Sequence, residues 1–188
     1  MGDRHRFREF ASFIHRTFPD AKPVADVAGG HGELACWLDE RGKEPVIIEP
    51  REAAFPRWVQ RTLRTRAART GHLASKARLR THVPAVDLRT FDLIVALHPD
   101  AATEPTLRAA VAHSIDIALV PCCVFPLDGI KRSMSAWLTY LAALAPDVHI
   151  AALPIVGANV VLGRRGGGST TSGGNWTSFP PVASEVTA

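Results

Sequence analysis

The stretch Val24-Ala-Asp-Val-Ala-Gly-Gly-His-Gly-Glu-Leu-Ala35 places a carboxylate, Asp26, just ahead of a glycine turn. An apolar run enters the turn and a helical pattern leaves it. Glycine accepts positive φ and lets a ligand approach the main chain. The helix beyond offers free N–H groups and the positive end of its dipole. This combination predicts a nucleotide or nucleoside site. A second carboxylate, Glu49, ends the next apolar run, seventeen positions after Gly32. In nucleoside-binding α/β folds an acid at this place accepts hydrogen bonds from ribose hydroxyls. His98 and Asp100 follow another apolar run, and Cys122 and Cys123 follow the next. An imidazole with its ordinary pKa of about 6.5 exchanges protons near neutrality, so His98 is the candidate base. Asp100 either orients it or binds an acceptor. The two cysteines are read as the pocket floor, touching substrate. They lack a C-x-x-C spacing, so no metal is expected.

Two cofactors compete for the turn. Gly30-His-Gly32-Glu-Leu-Ala35 fits the dinucleotide pattern G-x-G-x-x-A. Asp26-Val-Ala-Gly-Gly-His-Gly32 instead resembles motif I of class I S-adenosylmethionine-dependent methyltransferases, in the D-V-G-G-G-x-G form of many O-methyltransferases. A carboxylate before the turn suits a cationic amino-acid end and repels a pyrophosphate, which favours S-adenosylmethionine over NAD. Ala28 stands where that family has its first glycine. The resemblance implies a cofactor site of Asp26, Ala28, Gly29, Gly30, His31, Gly32, Glu49 and Leu97. Adenine contacts would fall near His82, Val83 and Pro84. Leu97-His-Pro-Asp100 together with Val120-Pro-Cys-Cys123 is also similar to a methyltransferase branch that includes a tRNA ribose-methylating family. Those proteins carry His-x-Cys-Gly after the fourth strand and paired cysteines after the fifth. Here Asp100 replaces the cysteine, the glycine is absent, and so are the zinc-finger regions.

The elements that must hold these residues alternate. A helix over 4–18, capped by Asp3, precedes strand 24–28 and helix 31–41, which Gly42 stops. Strand 45–50 and helix 52–68 come next, with Pro56 either in its first turn or breaking it, and Gly71 at its end. A short edge strand lies in 77–83, then strand 91–97, helix 103–113 capped by Thr103, strand 116–120 and helix 133–145. Strands 147–153 and 158–162 close the series. The implied fold is a Rossmann-like, doubly wound, seven-strand sheet, mostly parallel, ending in an antiparallel pair. NAD domains normally lack that ending. Residues 1–22 carry an N-terminal amphipathic helix packed on the domain, whose polar face the resemblance implies beside the cofactor, 23–165 form the cofactor-binding domain, and 166–188 a glycine- and serine-rich flexible tail.

The chain has 188 residues, 46% of them hydrophobic, enough for one domain with a real core. No apolar run approaches the ~20 residues of a membrane span. There is no secretory h-region, and three cysteines make no disulfide framework, so a reducing cytoplasm is expected. Between 51 and 80, nine Arg and Lys side chains face one carboxylate, Glu52. Such a stretch either solvates a helix face or attracts a polyanion. The predicted function is methyl transfer from S-adenosylmethionine to an O or N acceptor, either a small molecule or RNA. The open site is free to receive a macromolecule or to be closed by a partner subunit in a homodimer. Two alternatives are an inactive module of the same fold binding RNA, and an NAD-dependent oxidoreductase. The second lacks a Tyr-x-x-x-Lys signature, Tyr140 being the only tyrosine.

Overall fold

The computed structural model describes residues 5–70, 77–145 and 147–167. Five strands are parallel: β1 (Pro23–Val27), β2 (Glu44–Ile48), β3 (Ala77–Leu79), β4 (Leu93–Leu97) and β5 (Asp116–Val120). Two more, β6 (His149–Ala152) and β7 (Val160–Arg164), complete a sheet of order β3-β2-β1-β4-β5-β7-β6. β7 runs antiparallel to both β5 and β6. Strand order reverses between β1 and β4, which pair through Val24↔Leu93 to Asp26↔Val95. Ligands of open α/β sheets bind beyond the strand ends at such a reversal.

The strands are apolar on both faces because helices cover both. Alternate residues of β4 separate the two sides: Leu93, Val95 and Leu97 enter one core, Ile94 and Ala96 the other. The first core is closed by α1 (Arg6–Thr17) and α2 (Glu33–Asp39), through Phe10, Phe13, Ile14, Leu34 and Leu38. The second is closed by α4 (Thr103–Ala112) and α5 (Met134–Leu144), through Leu107, Trp137 and Leu141. α3 (Arg57–Thr70) lies on the side of α2, its Trp58 ring 6.1 Å from that of Trp37. Among the described residues no helix is long and apolar enough to cross a membrane.

Several boundaries move for local reasons. α2 starts at Glu33 because Gly32, at φ +75°, is its N-cap. Pro56 sits just before α3, and its carbonyl accepts the Gln60 amide. Thr103 does not cap α4: a 3₁₀ turn, Asp100–Ala102, precedes it, and the Thr103 hydroxyl donates to the Asp100 carbonyl at 2.7 Å. Ser133 does cap α5, accepting from the Ala136 amide. Gly166 falls inside the packed domain. Its amide donates to Asp116 at 2.7 Å, and a Cβ there would lie 1.8 Å from the Ser114 carbonyl oxygen. Residues 168–188, Asp3 and Gly71 lie outside the described residues.

Candidate active site

The glycine turn has the shape its composition requires. Gly30 and Gly32 hold φ at +48° and +75°, and Ala28, a non-glycine, holds +53°. A Cβ on Gly29 would meet the Asp26 carboxylate at 2.6 Å, so glycine is needed there for packing alone. Two side chains brace the turn from neighbouring strands. Glu49, just past β2, accepts the Gly30 amide at 3.2 Å, and Arg78 of β3 donates to the Gly30 carbonyl at 2.8 Å. Arg78 also lies 5.4 Å over the Phe55 ring. Sequence reasoning missed Arg78, whose partner is 48 positions away; only its place on a strand beside the turn could have suggested it.

Asp26 is 1% exposed, and neither carboxylate oxygen makes a hydrogen bond of ordinary geometry. Burial pushes its pKa up to about 7, against the pull of the Ala35 amide and of Arg78. A buried, unpaired carboxylate is costly and calls for a cation. Glu49 is the opposite case. Arg51 donates to it through its amide at 3.0 Å, Nε at 2.8 Å and an Nη at 3.1 Å. The Arg51 side chain leads the groups holding Glu49 below the usual carboxylate range, against burial.

Two clefts open above the strand ends. One of about 470 Å³ is lined by Glu49, Arg51, His82, Val83, His98 and Asp100. The other, about 170 Å³, is lined by Asp26, Leu97, His98 and His31, together with Arg6 and Phe7 of α1. Ala28 borders both. The first volume falls within the range of about 300–1,000 Å³ usual for small-molecule sites. His82, Val83 and Pro84 line the larger cleft, while Asp87, further along the chain, caps a 3₁₀ turn and pairs with Arg89. The His31 ring turns outward, its Nδ1 2.8 Å from the Ala54 carbonyl.

His98 borders both clefts, at φ +56°. Its Nε2 lies 3.0 Å from the Ala158 carbonyl. A carbonyl only accepts, so Nε2 carries the hydrogen and Nδ1 the lone pair. Burial lowers its pKa, the Ala158 carbonyl opposing. Asp100 does not orient this ring. Its carboxylate instead accepts the Cys122 thiol at 3.0 Å. Burial, then Asp100, pushes Cys122 up to about 12, so this thiol is no nucleophile at neutral pH. Cys122 and Cys123 line neither of these two clefts; they reach the larger one through Asp100. One donor atom from each of Asp100, Cys122 and Cys123 lies within 4.8 Å of the others.

Glu104 has no role that its sequence position reveals beyond the first turn of α4. It is fully buried and accepts from the Tyr140 hydroxyl at 2.8 Å, the Leu127 amide at 2.9 Å and Arg108 at 2.8 Å. It thereby ties the segment after β5, with exposed Phe125 and Leu127, to α4 and α5.

Strand order and the antiparallel end define a Rossmann-like architecture shared with solved methyltransferases. No family model matches the chain, and no curated protein matches it in sequence. Among solved structures, it is similar to a ribosomal protein L11 methylase from Lactobacillus delbrueckii subsp. bulgaricus, with TM-score 0.58 and 19% identity over 88% of this chain and 82% of that one. The N-terminal domain of EvdMO1, solved with SAH bound, gives TM-score 0.53 and 17% identity over 85% and 81%. An O-methyltransferase family protein from Burkholderia thailandensis gives 0.52 and 14% over 88% of this chain, which spans 57% of that protein. At these identities the likeness is one of fold.

Proposed function

We propose that the protein is a class I S-adenosylmethionine-dependent methyltransferase acting on an O or N acceptor. The observation that carries this is Asp26: a buried carboxylate that makes no hydrogen bond of ordinary geometry, at the floor of a glycine turn and beside a small cleft. It fits an ammonium group and would repel a pyrophosphate, which disfavours NAD. Arg6, which lines the same cleft, suits the carboxylate of an amino-acid end. Glu49 and the 81–84 segment line the larger cleft together, which supports a ribose against the one, once Arg51 gives way, and a base against the other. When bound, S-adenosylmethionine supplies a methyl group already activated by its sulfonium, so the protein's task is alignment. His98, between the clefts, is the group for the remaining step: neutral at pH 7, its Nδ1 accepts a proton from an acceptor hydroxyl or amine.

Titration calorimetry with S-adenosylmethionine and with NAD tests the reading. Binding of the first and its loss by more than about tenfold in Asp26→Ala is the expected result, as removal of a buried charge partner costs more than one decade. Binding of NAD alone overturns it. Labelled methyl donor incubated with separate RNA and metabolite fractions then assigns the acceptor.

A further inference from the structure

Asp100 lies just beyond β4, and Cys122 and Cys123 lie just beyond β5. These strands are neighbours in parallel register, with Leu97 opposite Val120, so the loops leaving their C-terminal ends meet. Asp100 is held at φ +49° with its carbonyl bonded to the Thr103 hydroxyl. Consecutive side chains of an extended strand point to opposite faces. Here the chain bends at Cys123, and both sulfurs come within 4.8 Å of each other and of the Asp100 carboxylate. Strand order alone brings these loops to one edge, but adjacent cysteines without C-x-x-C spacing argue against a metal; the bend at Cys123 is what the spacing does not reveal.

We propose that Asp100, Cys122 and Cys123 form a zinc site, with one carboxylate oxygen and two thiolates as ligands and a fourth position for water or an acceptor atom. Zinc–sulfur and zinc–oxygen bonds of about 2.3 and 2.1 Å set tetrahedral ligand atoms roughly 3.5–3.8 Å apart. Cys122 Sγ and Asp100 Oδ1 stand 3.0 Å apart and all three donors lie within 4.8 Å of one another, so closing on an ion asks for shifts of about 1 Å. Two soft sulfurs with one carboxylate select zinc over magnesium or calcium. Binding exchanges two thiol protons for the ion, and these protons pass to solvent. The hydrogen that Cys122 now shares with Asp100 is one of them. Three anionic ligands leave one excess negative charge, and Arg51 lines the same cleft as Asp100. Three protein ligands and one open position make a catalytic rather than a structural zinc site. Asp100 lines the same cleft as His98, so a hydroxyl held on the ion would be acidified where the proposed methyl transfer occurs. That role rests on the methyltransferase reading; binding of the ion does not.

The test is metal binding by the full chain, read without turnover. Metal-stripped protein titrated with Co²⁺ should take one equivalent. A thiolate-to-cobalt charge-transfer band in the near ultraviolet should appear, with about two protons released per ion. Zinc should displace the cobalt and shield Cys122 and Cys123 from alkylation, mapped by mass spectrometry. Cys122→Ser and Cys123→Ser should each weaken zinc by more than about a hundredfold, beyond what loss of a supporting partner costs. Asp100→Asn should keep the charge-transfer band while weakening the ion. Far-ultraviolet circular dichroism confirms that each variant is folded, and zinc protection in the parent protein needs no variant at all. Absence of the band in folded parent protein overturns the proposal. So does a band that survives in the Cys122→Ser/Cys123→Ser double variant. Either failure leaves S-adenosylmethionine binding at Asp26 intact, so the two readings fail separately.

Discussion

Ala28 holds φ at +53° in the middle of the glycine turn. A Cβ in the left-handed region costs about 1–2 kcal/mol, part of which glycine returns through the greater freedom of its unfolded chain. Ala28→Gly is therefore expected to stabilise the protein by about 1 kcal/mol, raising Tm by about 2–4 °C. An unchanged or lower Tm would show that the methyl group packs well enough to offset the backbone. Glu49 raises a different question. Its two oxygens already accept four N–H groups, three from Arg51 and one from Gly30. Ribose hydroxyls can be received only if the Arg51 side chain, 75% exposed, withdraws. An ion pair with so exposed a partner is weak. Arg51→Ala should then tighten S-adenosylmethionine binding about three- to tenfold in calorimetry, a gain of the size such a pair can withhold. Weaker binding in that variant would instead make Arg51 a ligand-binding group.

The elements were legible where burial on both sides leaves a continuous apolar run. β5 lies where the sequence places it, and β1, β2 and β4 differ at their ends by one or two residues. What escaped were contacts that join distant segments through main-chain atoms. Lys43 illustrates this: its ammonium is buried, donating to the carbonyls of Phe18, Pro19 and Ala21, and so closes the C-terminal end of α1. Nothing in the pattern around Lys43 announces three carbonyls more than twenty positions upstream. Glu104 is similar, since a carboxylate in a first helical turn ordinarily faces solvent and complements the dipole. Buried here, it fixes the segment after β5 that carries the cysteine pair. Glu104→Gln replaces one accepting oxygen by a donor facing other donors. The Leu127 amide should then exchange with solvent at least about tenfold faster, since each unsatisfied buried donor costs about 1–3 kcal/mol. Tm should fall by several degrees. Unchanged exchange at Leu127 would mean that the loop holds itself.

For the whole molecule, the glycine turn opposes stability to ligand binding through one group. With a pKa near 7 in the fold against 3.8 ordinarily, Asp26 takes up a proton on folding across that window. Its contribution to stability is therefore complete below about pH 4 and is lost as pH rises through 7, on the order of 4 kcal/mol in all. Asparagine cannot ionise. Asp26→Asn should accordingly melt higher than the parent protein at pH 8, with the difference shrinking toward pH 5. Binding runs the other way. A cationic ligand needs the ionised carboxylate, so the parent's affinity for S-adenosylmethionine should level off as pH approaches 8. It should fall about tenfold per pH unit below 7, with a proton released on binding. In Asp26→Asn the affinity should be weak and this dependence absent. Thermal melts and calorimetry from pH 5 to 8 read both quantities on the same two proteins. A melting difference that ignores pH, or an affinity that keeps its slope without Asp26, would remove this carboxylate from the centre of the site.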